Sequence, residues 1–302
     1  MTGLPEYATL CNGFGSLRRD QGRFAEAEKL LREALSAGQK LRPANPVQLA
    51  IAHNNLGSVY RGQQQNDEAR QQFSEALTLL EGHSGNADVY RGAVLNNLGS
   101  LFAAERDWSN AEKYFRQAIS VWEVNLVRDH PNLSAAYSNL AILYQNRGQF
   151  GKAAQIYEAC LQKDRAGLPA HHPQVAMDLN NLGVAEFRLR HYNDAESLLR
   201  EALEIRRQTL GEYHTDTATT EANLAQVLWA RKLLDEAENL YARALVGFER
   251  SWGSESPRLI ASLESYSALL HQNRHFARAE EAQVHATRIK VKQALTSDRR
   301  QS

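Results

Sequence analysis

The chain has no uncharged apolar run approaching the roughly 18 residues that a helical membrane span requires. Its first residues, Met1-Thr2-Gly3-Leu4-Pro5-Glu6, lack the basic patch and apolar stretch of a secretory leader. Neither sign of charge is in excess: Lys and Arg total 35, Asp and Glu total 35. That balance removes the electrostatic basis for capturing nucleic acid or an anionic membrane. Only two cysteines are present, Cys11 and Cys160, and unpaired thiols fit a reducing compartment. No segment shows the period-two alternation of a half-buried strand. These absences together set the expectation of an all-α, cytoplasmic protein without nucleic-acid or membrane partners.

What is present is repetition. Leu95-Asn96-Asn97-Leu98-Gly99 returns as Leu179-Asn180-Asn181-Leu182-Gly183 and as His53-Asn54-Asn55-Leu56-Gly57. Looser copies are Tyr137-Ser138-Asn139-Leu140-Ala141 and Glu221-Ala222-Asn223-Leu224-Ala225. The second Asn falls at 55, 97, 139, 181 and 223, each 42 residues after the last. One further step each way reaches Gly13 and Ser265, inside degraded copies, so seven units account for nearly the whole chain. A period between about 20 and 50 residues is the signature of a stacked-repeat protein. The expected architecture is a right-handed α-solenoid of seven helical hairpins. Its units lie near 6–40, 47–82, 88–125, 131–166, 173–210, 215–250 and 257–295, with 296–302 an unstructured basic tail. The cysteines then lie more than three units apart, too far to bond.

Within unit two, Val47 to Gln63 and Asp67 to Leu80 each carry apolar residues at three- and four-residue spacing, around a short polar link. That is a hairpin of amphipathic helices, A then B. Pro46, Pro131, Pro173 and Pro257 suit the first turn of helix A, and Asn66, Asn110 and Asn193 suggest the start of helix B. One position is Ala in every unit, from Ala27 and Ala69 to Ala279; another is Gly15, Gly57, Gly99, Ala141, Gly183, Ala225 and Ser267. Such restriction to small side chains predicts that two helix backbones cross closely there. Leu31, Phe73, Phe115, Tyr157, Leu199 and Tyr241 fill the remaining space. In the last unit that residue is Gln283, and the Leu four places on is Thr287. Polar residues there predict a solvent-facing cap that ends the array.

Leu-Gly, an aromatic, Ala, an aromatic and Ala at these offsets resemble the tetratricopeptide repeat, whose usual period is about 34 residues. The 42-residue unit, its Asn-Asn-Leu pair and the junctions Asp129-His130-Pro131 and His172-Pro173 are similar to the kinesin light chain type of that repeat. The heptad coiled coil and cargo tail of a kinesin light chain have no counterpart here. The resemblance implies a scaffold that binds protein segments.

Catalytic signals are absent. Gly13-Phe14-Gly15 begins a phosphate-loop spelling, but Arg18 stands where a third Gly belongs and no strand precedes it. Gly82-His83-Ser84-Gly85 is one residue short of a nucleophile elbow. His130, His172 and His214 recur at the repeat period, but equivalent loops of stacked hairpins are two helices apart. Metal ligands must converge to about 2.0–2.1 Å of one ion. These histidines are therefore expected at junctions between units, with no metal, no cofactor and no enzyme activity.

The expected site is the inner curve lined by helix A. Its face holds the column Asn55, Asn97, Asn139, Asn181 and Asn223, with Arg61 and Arg188 among its few charges and no Lys. Asn is a poor helix-interior residue, so the column needs a reason. Resemblance to kinesin light chains implies that these amides hold an extended peptide; the alternative is that each bonds the neighbouring unit and sets the superhelical pitch. Units four to six add Ile142, Met177, Val184, Phe187 and Trp229, and Phe187 and Trp229 occupy one position in successive units. Those two are expected to wall a pocket for an aromatic or Leu side chain, with an acidic neighbour near Arg188. The functional expectation is a peptide-binding adaptor. Its rivals are a chaperone cofactor that clamps a C-terminal carboxylate and the sensor part of a larger signalling protein.

Overall fold

The computed structural model describes residues 3–126 and 130–301, with side chains to 296. These fold into fourteen α-helices and one short 3-10 turn at Pro257–Leu259, with no strand among the described residues. The chain divides into two compact units, Met1–Gly148 and Gln149–Ser302. The first contains α1 (Leu4–Asp20), α2 (Phe24–Gln39), α3 (Pro46–Gly62), α4 (Asn66–Leu80), α5 (Asn86–Ala104), α6 (Trp108–Asn125) and α7 (Pro131–Asn146). The second contains α8 (Phe150–Gly167), α9 (Pro173–Arg188), α10 (Tyr192–Leu210), α11 (Thr215–Ala230), α12 (Leu234–Trp252), α13 (Ile260–Gln272) and α14 (Phe276–Gln301). Within each unit, helices adjacent in sequence pack against each other, as an α-solenoid requires.

The junction histidines have a specific task. His130, His172 and His214 cap α7, α9 and α11, their Nδ1 atoms accepting the backbone N–H of Asn132 (3.2 Å), Gln174 (3.1 Å) and Asp216 (3.1 Å). A ring nitrogen can accept only while it carries a lone pair, so the cap is a property of neutral imidazole. Asn45 does the same for α3, accepting from Val47 and Gln48. Asp129, which the sequence groups with His130, lies outside the described residues.

The turn inside each hairpin is tighter than the sequence suggests. Residues 22, 64, 106, 148, 190, 232 and 274, again 42 apart, all have positive φ, between 60° and 72°. Only Gly22 and Gly148 among them are glycine; the others are Gln64, Arg106, Arg190, Lys232 and Arg274. Arg23, Gln65, Asp107, His191, Leu233 and His275, each following such a turn, close it with a backbone bond five residues back, as in Gln65 to Tyr60 and His191 to Glu186, at 2.9 and 3.0 Å. This is the Schellman closure of a helix end. Because the chain reverses so quickly, Asn66 already belongs to α4 and Asn193 lies inside α10, so they are not the caps the sequence suggests. Asp107 caps α6 by accepting the Asn110 N–H at 3.1 Å.

The seven-fold Ala column, Ala27 through Ala279, is fully buried. The small-residue column beside it lies close to the partner helix, a Cβ on Gly15 or Gly183 reaching 3.4 Å from the carbonyl of Ala27 or Ala195, and closer still to a large side chain. A Cβ on Gly57 would lie 2.7 Å from the Phe73 ring, on Gly99 2.6 Å from Phe115, and on Gly183 2.8 Å from Leu199. Each glycine is the floor under the large side chain sixteen residues later. Ser267, opposite the polar Gln283, instead donates to the carbonyl of Ala279 at 2.8 Å.

Gln283 and Thr287 are exposed, as a cap requires. However, α14 runs on to Gln301, through the described part of the segment expected to be an unstructured tail. Its Lys, Gln, Ala, Leu and Arg residues are strong helix formers.

Candidate functional site

In the first unit, the A helices α1, α3 and α5 bring the amides into a ladder. Asn55 Nδ2 donates to Asn12 Oδ1 (3.0 Å), Asn97 Nδ2 to Asn54 Oδ1 (2.9 Å), and Asn139 Nδ2, on α7, to Asn96 Oδ1 (3.0 Å). The second unit repeats the bond between Asn223 and Asn180 at 3.0 Å. Each bond therefore ties the second Asn of one repeat to the first Asn of the repeat before it. Asn181 instead accepts from Asn180 of its own repeat, at 3.4 Å. The partner column, Asn12, Asn54, Asn96 and Asn180, escaped the sequence reading, although its 42-residue spacing was equally visible. A carboxamide has two N–H donors and an oxygen with two lone pairs. These bonds use only part of that capacity, although Asn55 also accepts from Arg19 and Asn97 also approaches Ser58.

Arg19, Asn54, Asn55, Ser58, Arg61 and Asn97 line a cleft of about 610 Å³ on this face. Arg19 is committed: it pairs with Asp20 at 2.8 Å and donates to Asn55 Oδ1 at 3.2 Å. Arg61 has no hydrogen bond or ion pair among the described residues. Burial, and then the charge of Arg19, push its pKa below the usual guanidinium value. A desolvated cation without an acid partner is an unsatisfied charge, and an arriving anion would relieve it.

The second unit has a different A-helix face. Phe187 and Trp229 do line one cavity, of about 320 Å³, with Gln226, Ala230, Lys232 and Ser265. Both rings are half-buried and pack against the core of this unit. Phe187 leans on Tyr192 with centroids 5.9 Å apart, and the Trp229 indole N–H donates to Gln272 at 2.5 Å. Lys232 corrects the expectation of a lysine-free face; it enters through the positive-φ turn, which a helical face count does not include. Arg188 is exposed and sits 4.8 Å over the Phe150 ring. Val184 is half-buried, and Ile142, in the first unit, is 47% exposed.

Behind these faces lie buried charges that the sequence reading did not single out. Asp178 on α9 and Asp164 on α8 are 2% and 4% exposed and hydrogen-bond to each other. Desolvation and the neighbouring acid push the Asp178 pKa up to about 8. Glu221 is fully buried and receives Arg207 at 2.8 Å and Arg243 at 3.1 Å. The Cys160 thiol is pushed up to about 12, chiefly by burial, which removes it from nucleophilic chemistry. Glu186, His191 and Asp194 form the one group of three among the described residues whose ligand atoms come within reach of one ion. They sit on the α9–α10 turn with His191 Nδ1 2.6 Å from Glu186, an arrangement equally explained as a turn-closing hydrogen bond.

Comparison with known proteins agrees with this geometry. The tetratricopeptide repeat model matches residues 6–82, 90–166, 174–250 and 216–290. The chain belongs to the tetratricopeptide repeat family. Its 42-residue repeats are similar to those of solved kinesin light chain-like proteins. BtubC (BKLC) from P. vanneervenii is 26% identical, with a TM-score of 0.66 over 77% of this chain and 92% of that one. The kinesin light chain TPR-like repeats of Podosopora anserina are 20% identical, with a TM-score of 0.58 over 68% and 97%. A signal-transduction ATPase with a tetratricopeptide repeat sensor, from Pyrococcus horikoshii, is 14% identical; its TM-score is 0.76 over 95% of this chain and 43% of that one. Among curated protein sequences none matches. The repeats make the chain a protein-interaction scaffold, and no helix among its described residues is long and apolar enough to cross a membrane.

Proposed function

We propose that the chain is a non-enzymatic adaptor that binds extended peptide segments on its A-helix faces. The observation that carries this reading is the column of half-buried amides on the A-helix faces together with anchors of two kinds. Asn55, Asn97, Asn139, Asn181 and Asn223 offer main-chain hydrogen bonds worth about 0.5–1.5 kcal/mol each, which tolerate many sequences. Specificity then rests on the anchors. In the second unit, Phe187 and Trp229 accept an aromatic or Leu side chain, with Val184 beside them and Arg188 near enough to meet an acidic neighbour. In the first, Arg61 receives an acidic side chain, and Ile142 adds apolar surface. Aromatic walls in a half-open pocket are a usual location for binding energy. The two free cysteines support a reducing, cytoplasmic setting.

The test is to capture partners from the native host, map the bound segment, and titrate that peptide against Phe187→Ala and Trp229→Ala. A loss of tenfold or more is expected for each; unchanged affinity for both removes the pocket. Comparing free and amidated C-termini separates this adaptor from a carboxylate clamp, which would lose binding on amidation. The likeness to a repeat sensor inside a larger ATPase supports a second reading, in which this chain reports ligand binding to an attached enzyme.

A further inference from the structure

One seam of the first unit is short of side chain. At the B-helix position that meets the next repeat, five successive repeats carry Leu80, Trp122, Asp164, Arg206 and Phe248, all buried. The same position in the first repeat, on α2, is Gly38. The residue fourteen later, on α3, is Ala52, against Val94 one repeat on. A Cβ on Gly38 would meet only the end of the Leu49 side chain, at 2.9 Å. Beside this glycine lies a cavity of about 230 Å³, walled by Ala8, Ala34, Leu49 and Ala52, all buried. An apolar cavity of roughly 150 Å³ is enough to hold benzene, so this one has room for a Leu or Phe side chain. Its mouth opens beside the amide ladder, at Asn12, which accepts from Asn55, and at the exposed Gln48 and Tyr90. The Asn12 Nδ2, the Gln48 carboxamide and the Tyr90 hydroxyl make no hydrogen bond among the described residues. These groups can bond a peptide main chain, and a free hydrocarbon has nothing to offer them.

We infer that this cavity is a side-chain pocket for a peptide lying on the first unit. A large apolar side chain of that peptide enters over Gly38 and fills the seam, as Leu80 fills the next one. Asn12, Gln48 and Tyr90 hold the main chain on either side of it. The inference rests on the reading of the A-helix faces as peptide surfaces and gives the first unit an apolar anchor of its own. Selection at this pocket is by size and polarity. An Ala side chain leaves the cavity unfilled, and a charged one loses its water to walls that offer no partner.

Methyl NMR of the full chain tests this, using toluene and blocked pentapeptides, acetyl-Gly-Gly-Xaa-Gly-Gly-amide, with Leu, Phe, Ala or Asp in the centre. The Leu and Phe peptides should shift the Leu49 and Ile51 methyl signals along a saturable course. The Ala and Asp peptides should bind at least about tenfold more weakly. Gly38→Leu installs the side chain of the next repeat and should weaken the Leu peptide by about tenfold or more. Ala52→Val, which leaves Gly38 in place, should act in the same direction, and circular dichroism checks the folding of both variants. Equal binding of all four peptides overturns the proposal, and so does unchanged binding of the Leu peptide to both variants. Shifts caused by toluene and by no peptide overturn it as well, since they mean a cavity for a free hydrocarbon. The adaptor reading fails separately: a captured partner segment that tolerates Gly38→Leu but not Trp229→Ala keeps the adaptor and removes this pocket.

Discussion

Two seams in each unit are built from the same backbone but from opposite chemistry. In the first unit, the B-helix residue at the seam and the A-helix residue fourteen later are Leu80 and Val94, then Trp122 and Ala136, all buried and apolar. In the second unit, the same positions hold Asp164 and Asp178, then Arg206 and Thr220, equally buried. The difference shows what this fold demands of a seam: volume always, and polarity only where each charge is answered. Arg206 donates to Thr220 Oγ1 at 2.6 Å and to the Asp216 carbonyl at 2.8 Å. Asp178 has no cation in hydrogen-bonding contact and keeps a proton instead. The buried pairs at these first-unit seams thus carry no titratable group, whereas the Asp164–Asp178 pair of the second unit does.

The largest expected effect tests that contrast directly. Between the ordinary Asp value of 3.8 and about 8, folded Asp178 binds a proton that the unfolded chain releases. Stability of the second unit should therefore fall as pH rises through that window and level off above it, by roughly a few kcal/mol. Asp178→Asn should flatten the profile and raise stability at pH 8. Peptide-resolved hydrogen exchange at pH 5 and pH 8 locates the effect; an equal change in both units would break the comparison.

Packing under the small-residue column gives the next largest difference. Gly57→Ala drives a methyl into the flat Phe73 ring, whereas Gly183→Ala meets Leu199, which has more rotamers available. The first is expected to cost about 1–3 kcal/mol and the second less, since overpacking is relieved only where the neighbour can move. Urea midpoints of the two variants decide the order; a larger loss for Gly183→Ala would reverse this account.

Removing the His172 cap with His172→Ala should cost about 1 kcal/mol, and His172→Asn should recover most of it, because Asn accepts the same N–H. The smallest effect is a gain. Arg190→Gly removes a side chain from a backbone held at φ 67°, a conformation that the first unit's turns carry on Gly22 and Gly148, and should add about 0.5–1 kcal/mol. A destabilised Arg190→Gly variant would mean that the arginine side chain holds the turn.

Much of this was legible beforehand because a repeat displays its core several times over. The Ala column, the large residues sixteen after each glycine position, and the Phe187–Trp229 pairing all follow from period and helical spacing, which local chemistry dictates. The hairpin turns were hidden because Gln64, Arg106, Arg190, Lys232 and Arg274 occupy a backbone region that sequence rules reserve for glycine. Lys232 was missed for the same reason, since a residue outside the helix does not belong to a helical face.

By itself, then, the sequence determined the repeat, its two helices, the residues that must be small, and the column of amides. Only tertiary structure decided what those amides bond to, that Arg61 is left without an acid, and that Asp164 meets Asp178. The reason is physical: period and amphipathicity are set along one helix, whereas hydrogen-bond partners and desolvation depend on which side chain arrives from the neighbouring repeat.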